Sequence, residues 1–279
     1  MSKFGVLVMG PAGAGKTTFS NALIQHLQST RRSCFYVNLD PAAENFAYQP
    51  DLDIRELITL EDVMEELGLG PNGGLIYCFE FLLQNLEFLN EALDPLSEEY
   101  LIIFDMPGQI ELYTHISPSS RPLNINLCAA YLLESTFVVD KAKFFAGTLS
   151  AMSAMLMLEI PHVNILSKMD QVKDMVTRRE LRRFANVDVQ LLQKDEEDAA
   201  AVANPMAKDA LMSGGSFNQL NRAVAQLIDD FSMVSFLQLD ASDEDSVAGI
   251  LSHIDDAIQY HEAQEPREPK DEQEVNYED

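Results

Sequence analysis

Apolar residues in this chain come in short unbroken runs, separated by longer stretches of helical period. The runs Phe4–Met9, Cys34–Leu39, Leu101–Asp105, Ala129–Leu133, Val163–Ser167 and Val234–Leu237 read as strands. They are nearly continuous in apolar character, the pattern of strands buried on both faces. Lys16–Gln28, Leu75–Leu93, Lys143–Leu158, Phe217–Phe231 and Asp243–Tyr260 read as helices. The alternation, which lasts to about Gln238, predicts a three-layer α/β fold: a mostly parallel sheet with helices on both faces. There is no internal repeat. Met152, Met155 and Met157 lie inside an Ala/Leu helix and read as core packing. The acidic, alanine-rich stretch Gln190–Gly215 reads as a surface excursion.

Charge narrows the functions that fit. The 279 residues carry 45 acids against 19 bases, a formal net charge of −26. Such a surface repels nucleic acids and anionic membranes, so neither is an expected partner. A nucleotide polyphosphate would need a local trap that overrides the global field. Much of the acid sits at the end: residues 262–279 hold eight acids and two bases. That stretch cannot bury enough apolar area to offset its ordering entropy, and it is expected to be a disordered tail behind a folded domain over 1–261. No run has the length of a membrane span, and the N-terminus does not read as a signal peptide. Cys34, Cys78 and Cys128 have no metal-ligand spacing and read as small buried residues in a reducing compartment.

The trap is at Gly10-Pro11-Ala12-Gly13-Ala14-Gly15-Lys16-Thr17, which satisfies G-x-x-x-x-G-K-[ST] at every fixed position. A buried strand precedes it and a helix begins at it, so backbone N–H groups and the helix N-terminus converge on one anion. Gly13, Ala14, Gly15, Lys16, Thr17 and Thr18 are the expected phosphate-binding residues, with Lys16 on the terminal phosphates and the Thr17 hydroxyl on Mg²⁺. Asp40 and Asp105 close the second and third strands, and carboxyl ends of strands form the ligand crevice of such sheets. Both are expected at the metal with Thr17. Asp105-Met106-Pro107-Gly108-Gln109 has the form of a γ-phosphate sensor, in which the Gly108 N–H meets the phosphate and Gln109 orients the attacking water. No arginine is obviously placed to neutralise the charge that develops on the transferred group.

Ser167-Lys168-Met169-Asp170 follows a late buried strand, where guanine-specific proteins carry an [NT]-K-x-D element. A carboxylate at Asp170 can accept from both guanine N1–H and the exocyclic amine, donors that adenine lacks at those positions. The Lys168 stem can lie over the base, and Ser167 keeps a small polar side chain. The site is therefore expected to take GTP with Mg²⁺. Gly70-Pro71-Asn72-Gly73-Gly74 lies between two helical stretches and reads, by local chemistry, as a turn.

Taken in order, GPAGAGKTT, NLDPAAE, GPNGGLIYCFE, DMPGQIELYTH and LSKMD resemble the GPN-loop GTPases over roughly residues 3–260. The resemblance implies a P-loop GTPase domain with a GPN-loop insertion at about 45–98. It implies a dimer that hydrolyses GTP, with Asn72 reaching across to the partner's phosphate and answering for the missing arginine. Asn72, Gln109, Asp105 and Lys16 would then be the catalytic residues. Relatives that resemble this chain are cytoplasmic, with possible shuttling to the nucleus. They pair with a longer paralogue, GPN-loop GTPase 1, a homodimer being the other arrangement, and they aid assembly and nuclear import of RNA polymerase II. One segment departs from the family: only Ser117–Ile125, with two prolines, separates Ile116 from the next strand, where the family carries a longer helical stretch. Either coupling through this switch region is altered or the sequence carries a mis-spliced gene model. A GTP-loaded assembly adaptor with little hydrolysis is the alternative. An ATP-dependent small-molecule kinase fits less well, because Asp170 and the Asp105–Gln109 element argue against it.

Overall fold

Strand β1 (Lys3–Met9) lies inside the sheet, and its side chains divide between two cores. Phe4, Val6 and Val8 enter one while Leu7 and Met9 enter the other, as the two-residue period of a strand requires. The computed structural model describes residues 3–44, 46–109, 112, 125–172, 175–188, 223–224, 226–231 and 234–263. The remaining strands are β2 (Cys34–Asn38), β3 (Leu52–Asp53), β4 (Leu101–Asp105), β5 (Ile125–Glu134), β6 (His162–Ser167) and β7 (Phe236–Gln238). Their order is β3-β2-β4-β1-β5-β6-β7, and every pairing is parallel. The expected strands are all present. β3 was not legible, since two residues are too few to show a period.

Helices α1 (Lys16–Ser29), α7 (Glu244–Ala257) and α8 (Tyr260–Ala263) cover the face that holds Phe4, Val6 and Val8. Helices α3 (Pro71–Gln84), α4 (Glu87–Leu93), α5 (Lys141–Leu158) and α6 (Arg178–Ala185) cover the other, with α2 (Leu60–Leu67) packed on α3. The result is the expected three-layer architecture. Arg32 pins the C-terminal helices to it, pairing with Asp255 at 2.7 Å and lying 3.8 Å over the Tyr260 ring.

Three expectations need correction. The helix foreseen over Leu75–Leu93 is two, α3 and α4, because the Asn85 side chain and backbone both bond the Phe81 carbonyl and end α3. Gly70–Gly74 is not a free turn: Gly70 caps α3, Pro71 is its first residue, and the Gly74 N–H already donates to the Gly70 carbonyl at 2.8 Å. Proline suits that first position, where no N–H is needed. Of Met152, Met155 and Met157, only Met152 is core, while Met157 is 45% exposed; five residues along a helix turn the side chain about 140° away. α2 and α6 were not foreseen. Each is eight residues long, and both are capped by threonine, Thr59 and Thr177. The segment Ser117–Asn124, the stretch Gln190–Gly215, the first part of the Phe217–Phe231 helix and the tail beyond Ala263 lie outside the described residues; residues 226–230 are helical.

Candidate active site

The parallel sheet turns the carboxyl ends of β1, β2, β4, β6 and β7 to one edge, and the site is assembled from the loops that leave them. The phosphate loop follows β1, and α1 starts at Lys16 directly after Gly15. Lys16 Nζ donates to the Pro11 carbonyl at 3.3 Å, across the loop that it closes. Burial pulls its ammonium below the ordinary value, and the carboxylates Asp105 and Asp40 pull it back up.

Asp105, 4% exposed, is the most buried carboxylate among the described residues. Burial pushes it up to about 6, against the Thr17 and Tyr36 hydroxyls that donate to it and the Lys16 charge. The Tyr36 bond is 3.1 Å long. Burial also raises Asp40, opposed by the Ala42 N–H and by Lys16. Lys16, Thr17, Asp40 and Asp105 are thus brought together as expected. A hydroxyl and two carboxylates beside a phosphate cradle suit Mg²⁺, which keeps several waters and takes few protein ligands. No cage of three or more acidic, histidine or cysteine side chains occurs among the described residues.

A second layer holds Asp40 and was not foreseen. The Asn38 side chain accepts from the Asp40 N–H at 3.0 Å and donates to Asp53 at 2.8 Å. Arg55 grips Asp53 through Nε and Nη2 and reaches the Ala43 carbonyl at 2.9 Å. Burial pushes Asp53 up, but the bonds from Arg55 and Asn38 outweigh it and hold the carboxylate below its ordinary value. Arg55 is therefore committed to the scaffold, and it does not supply the missing stabiliser.

Gly108 sits hard against the phosphate loop: a Cβ there would lie 3.0 Å from the Ala12 backbone. Only glycine lets the sensor loop approach so closely. The next residue, Gln109, donates from Nε2 to Asn72 Oδ1 of the same chain at 2.9 Å. Two of the four residues foreseen as catalytic thus meet in one chain, Asn72 on the first turn of α3 and Gln109 on the loop after β4.

The base-reading residues surround a cavity of about 310 Å³ lined by Gly15, Thr18, Ser167, Lys168, Asp170 and, from the loop after β7, Leu239–Ser242. Ser167 Oγ donates to the Ala14 carbonyl at 2.6 Å. Lys168 is left-handed (φ 56), pairs with Glu134 at 3.4 Å, and accepts at its carbonyl from Ser135 Oγ at 2.7 Å. Met169 does not face this cavity; it is buried in the core. Asp240, whose carboxylate accepts from Ser242 Oγ at 2.6 Å, completes the cavity wall. The Asp240-Ala241-Ser242 signal was present in the sequence but too short to separate from an ordinary turn. A larger cavity of about 610 Å³ lies on the far side of Asp240 against α6 and includes none of the phosphate loop.

A family model described as "conserved hypothetical ATP binding protein" matches residues 8–260. A protein of Aspergillus fumigatus named GPN-loop GTPase 3 is 80% identical over 290 positions, covering 100% of this chain and 99% of that one. Proteins of the same name from Gibberella zeae and Kluyveromyces lactis are 61% and 55% identical, each over 99% of this chain and 98% or 99% of their own. Among solved structures, the apo form of a GTPase from Pyrococcus abyssi matches with TM-score 0.67 and 22% identity, over 91% of this chain and 97% of that one, and so shares the fold.

Proposed function

Since this chain belongs to the GPN-loop GTPases and is itself a GTPase, we propose that it works as a dimer in which each chain holds GTP and Mg²⁺ and lends Asn72 to the partner's phosphates. The observation that carries the reading is the convergence of Lys16, Thr17, Asp40 and Asp105 at the phosphate loop, whose Gly15 and Thr18 line the same cavity as Asp170. The phosphate loop and Lys16 bind the β- and γ-phosphates; Thr17, Asp40 and Asp105 would hold Mg²⁺, which supplies charge neutralisation between those phosphates. Asp170 accepts from guanine N1–H and its exocyclic amine, and the Lys168 stem lies along the base, held by Glu134. Water, oriented by Gln109, attacks the γ-phosphorus, and the bond to the β,γ-bridging oxygen breaks to leave GDP and phosphate.

Negative charge grows on the γ-phosphoryl oxygens during that step, and Arg55 is tied to Asp53 and Ala43. The Asn72 amide from a second chain supplies the donor. A lone chain is accordingly expected to turn over slowly, and an adaptor that stays loaded with GTP is the limiting case of the same chemistry. The wider role we propose rests on family resemblance alone: pairing with a longer paralogue, GPN-loop GTPase 1, in the cytoplasm with passage to the nucleus, in the service of RNA polymerase II assembly and import. The net charge of −26 supports protein partners over nucleic acid or membrane.

The test is GTP and ATP turnover by the purified protein, alone and with the paralogue, together with native mass. Lys16→Ala is expected to abolish binding. Asn72→Ala is expected to bind GTP normally and to lower kcat by about 10²-fold, the usual cost of one lost transition-state donor. Unchanged turnover in Asn72→Ala would remove its catalytic role.

A further inference from the structure

In the bond of 2.9 Å within one chain, Gln109 Nε2 donates to Asn72 Oδ1, which turns the NH₂ end of the glutamine amide to Asn72. An amide has unlike ends. With its NH₂ turned to Asn72, Gln109 is left with its carbonyl oxygen for a water beside the γ-phosphate, where an acceptor is needed to draw a proton and aim a lone pair. The reverse rotamer would present N–H groups there and leave two carbonyl oxygens opposed.

The two partners differ in rigidity. Asn72 is the second residue of α3, behind Pro71 at the first, and the helix is anchored by the buried Leu75, Cys78 and Phe79. Gln109 is on a loop whose backbone is fixed one residue earlier, where Gly108 meets Ala12. Its side chain has several rotatable bonds and needs an external stop. We propose that Asn72 is a positioning residue for its own chain's Gln109: Oδ1 sets the glutamine amide in cis, while the Nδ2 group is left for the partner's phosphate. One side chain then serves two sites. The second half rests on the dimer reading above; the first does not.

Hybrid dimers separate them. Two differently tagged chains are mixed, loaded with GTP, and single-turnover hydrolysis is read per working site, with GTP affinity measured alongside. Lys16→Ala silences its own site, so wild type paired with Lys16→Ala sets the reference rate. When Asn72→Ala is paired with Lys16→Ala, the working site keeps the partner's Asn72 but loses its own. We expect a rate roughly tenfold to a hundredfold below the reference, with GTP affinity unchanged. A rate equal to the reference overturns the cis role. In the same arrangement Asn72→Asp keeps the acceptor for Gln109 and is expected to restore the rate to within about threefold of the reference; a rate as low as that of Asn72→Ala overturns it. Wild type paired with the double variant Lys16→Ala, Asn72→Ala lacks only the trans contact. The reference rate in that pair would remove the trans reading and leave the cis role standing. If the loaded chain is a monomer the trans reading falls, and Asn72→Ala against Asn72→Asp in the single chain decides the cis role by the same criteria.

Discussion

Ser167 Oγ donates to the Ala14 carbonyl, so the base-reading loop and the phosphate loop share a hydrogen bond made by a side chain only 3% exposed. A small hydroxyl is enough because β6 ends beside that carbonyl, and the longer amide usual at this position is not needed to span the gap. Away from the site, His162 carries a cost. It stacks on Tyr131 with centroids 6.1 Å apart, and neither ring nitrogen has a hydrogen-bond partner among the described residues. Burial lowers it from 6.5 to about 4. The unfolded chain therefore takes up this proton first as pH falls. The neutral ring's full contribution is present above about pH 6.5 and is lost progressively toward pH 4, by up to about 3 kcal/mol. Chemical denaturation of wild type and His162→Phe between pH 7.5 and 5 is expected to show a steeper loss in wild type. Parallel curves would contradict the assignment. Nothing in the apolar pattern marked this histidine, since an isolated ring in a strand looks the same whether solvated or buried.

At the scale of elements, strands were legible because both faces of each are apolar, and the long helices because their period persisted over several turns. Boundaries failed where a side chain overrides the pattern. Asn85 stops α3 by bonding Phe81, and Pro71 starts it inside what local chemistry reads as a turn. The short α2 and α6 rest on threonine caps and lack a long stripe. Packing of α5 on β5 gives a prediction whose sign runs against helix propensity. Gly147 lies mid-helix, and a Cβ there would meet Leu133 at 2.7 and 3.0 Å and Phe137 at 3.2 Å. Leu133 is fully buried, so its methyl groups can make room only by shifting against packed neighbours. Gly→Ala inside a helix ordinarily gains up to about 1 kcal/mol, but overpacking costs about 1–3 kcal/mol. Gly147→Ala is therefore expected to lower the denaturation midpoint. A raised midpoint would show that the α5–β5 contact relaxes freely.

For the whole molecule, the sheet gathers onto one edge residues that are far apart in sequence: Lys16, Asp40, Asp105 and Asp170 each stand at or just beyond a strand end. Those four were legible because each sits in a short motif at a strand terminus, and topology then dictates that they meet. Asn38, Asp53, Arg55, Glu134 and the Asp240–Ser242 loop were not, because they act through tertiary partners that no local pattern names. In a chain of net charge −26 this edge must hold a polyphosphate against the global field, so the choice of base rests on local contacts in the cavity. The measurement that bears most directly on that claim is the affinity of wild type and Asp170→Asn for GTP and xanthosine triphosphate. Xanthine carries a carbonyl where guanine carries its amine, so it repels a carboxylate and accepts from a carboxamide. Wild type is expected to favour GTP by about a hundredfold or more, and Asp170→Asn to reverse the preference. An unchanged preference in the variant would contradict the account, as would equal affinities in wild type.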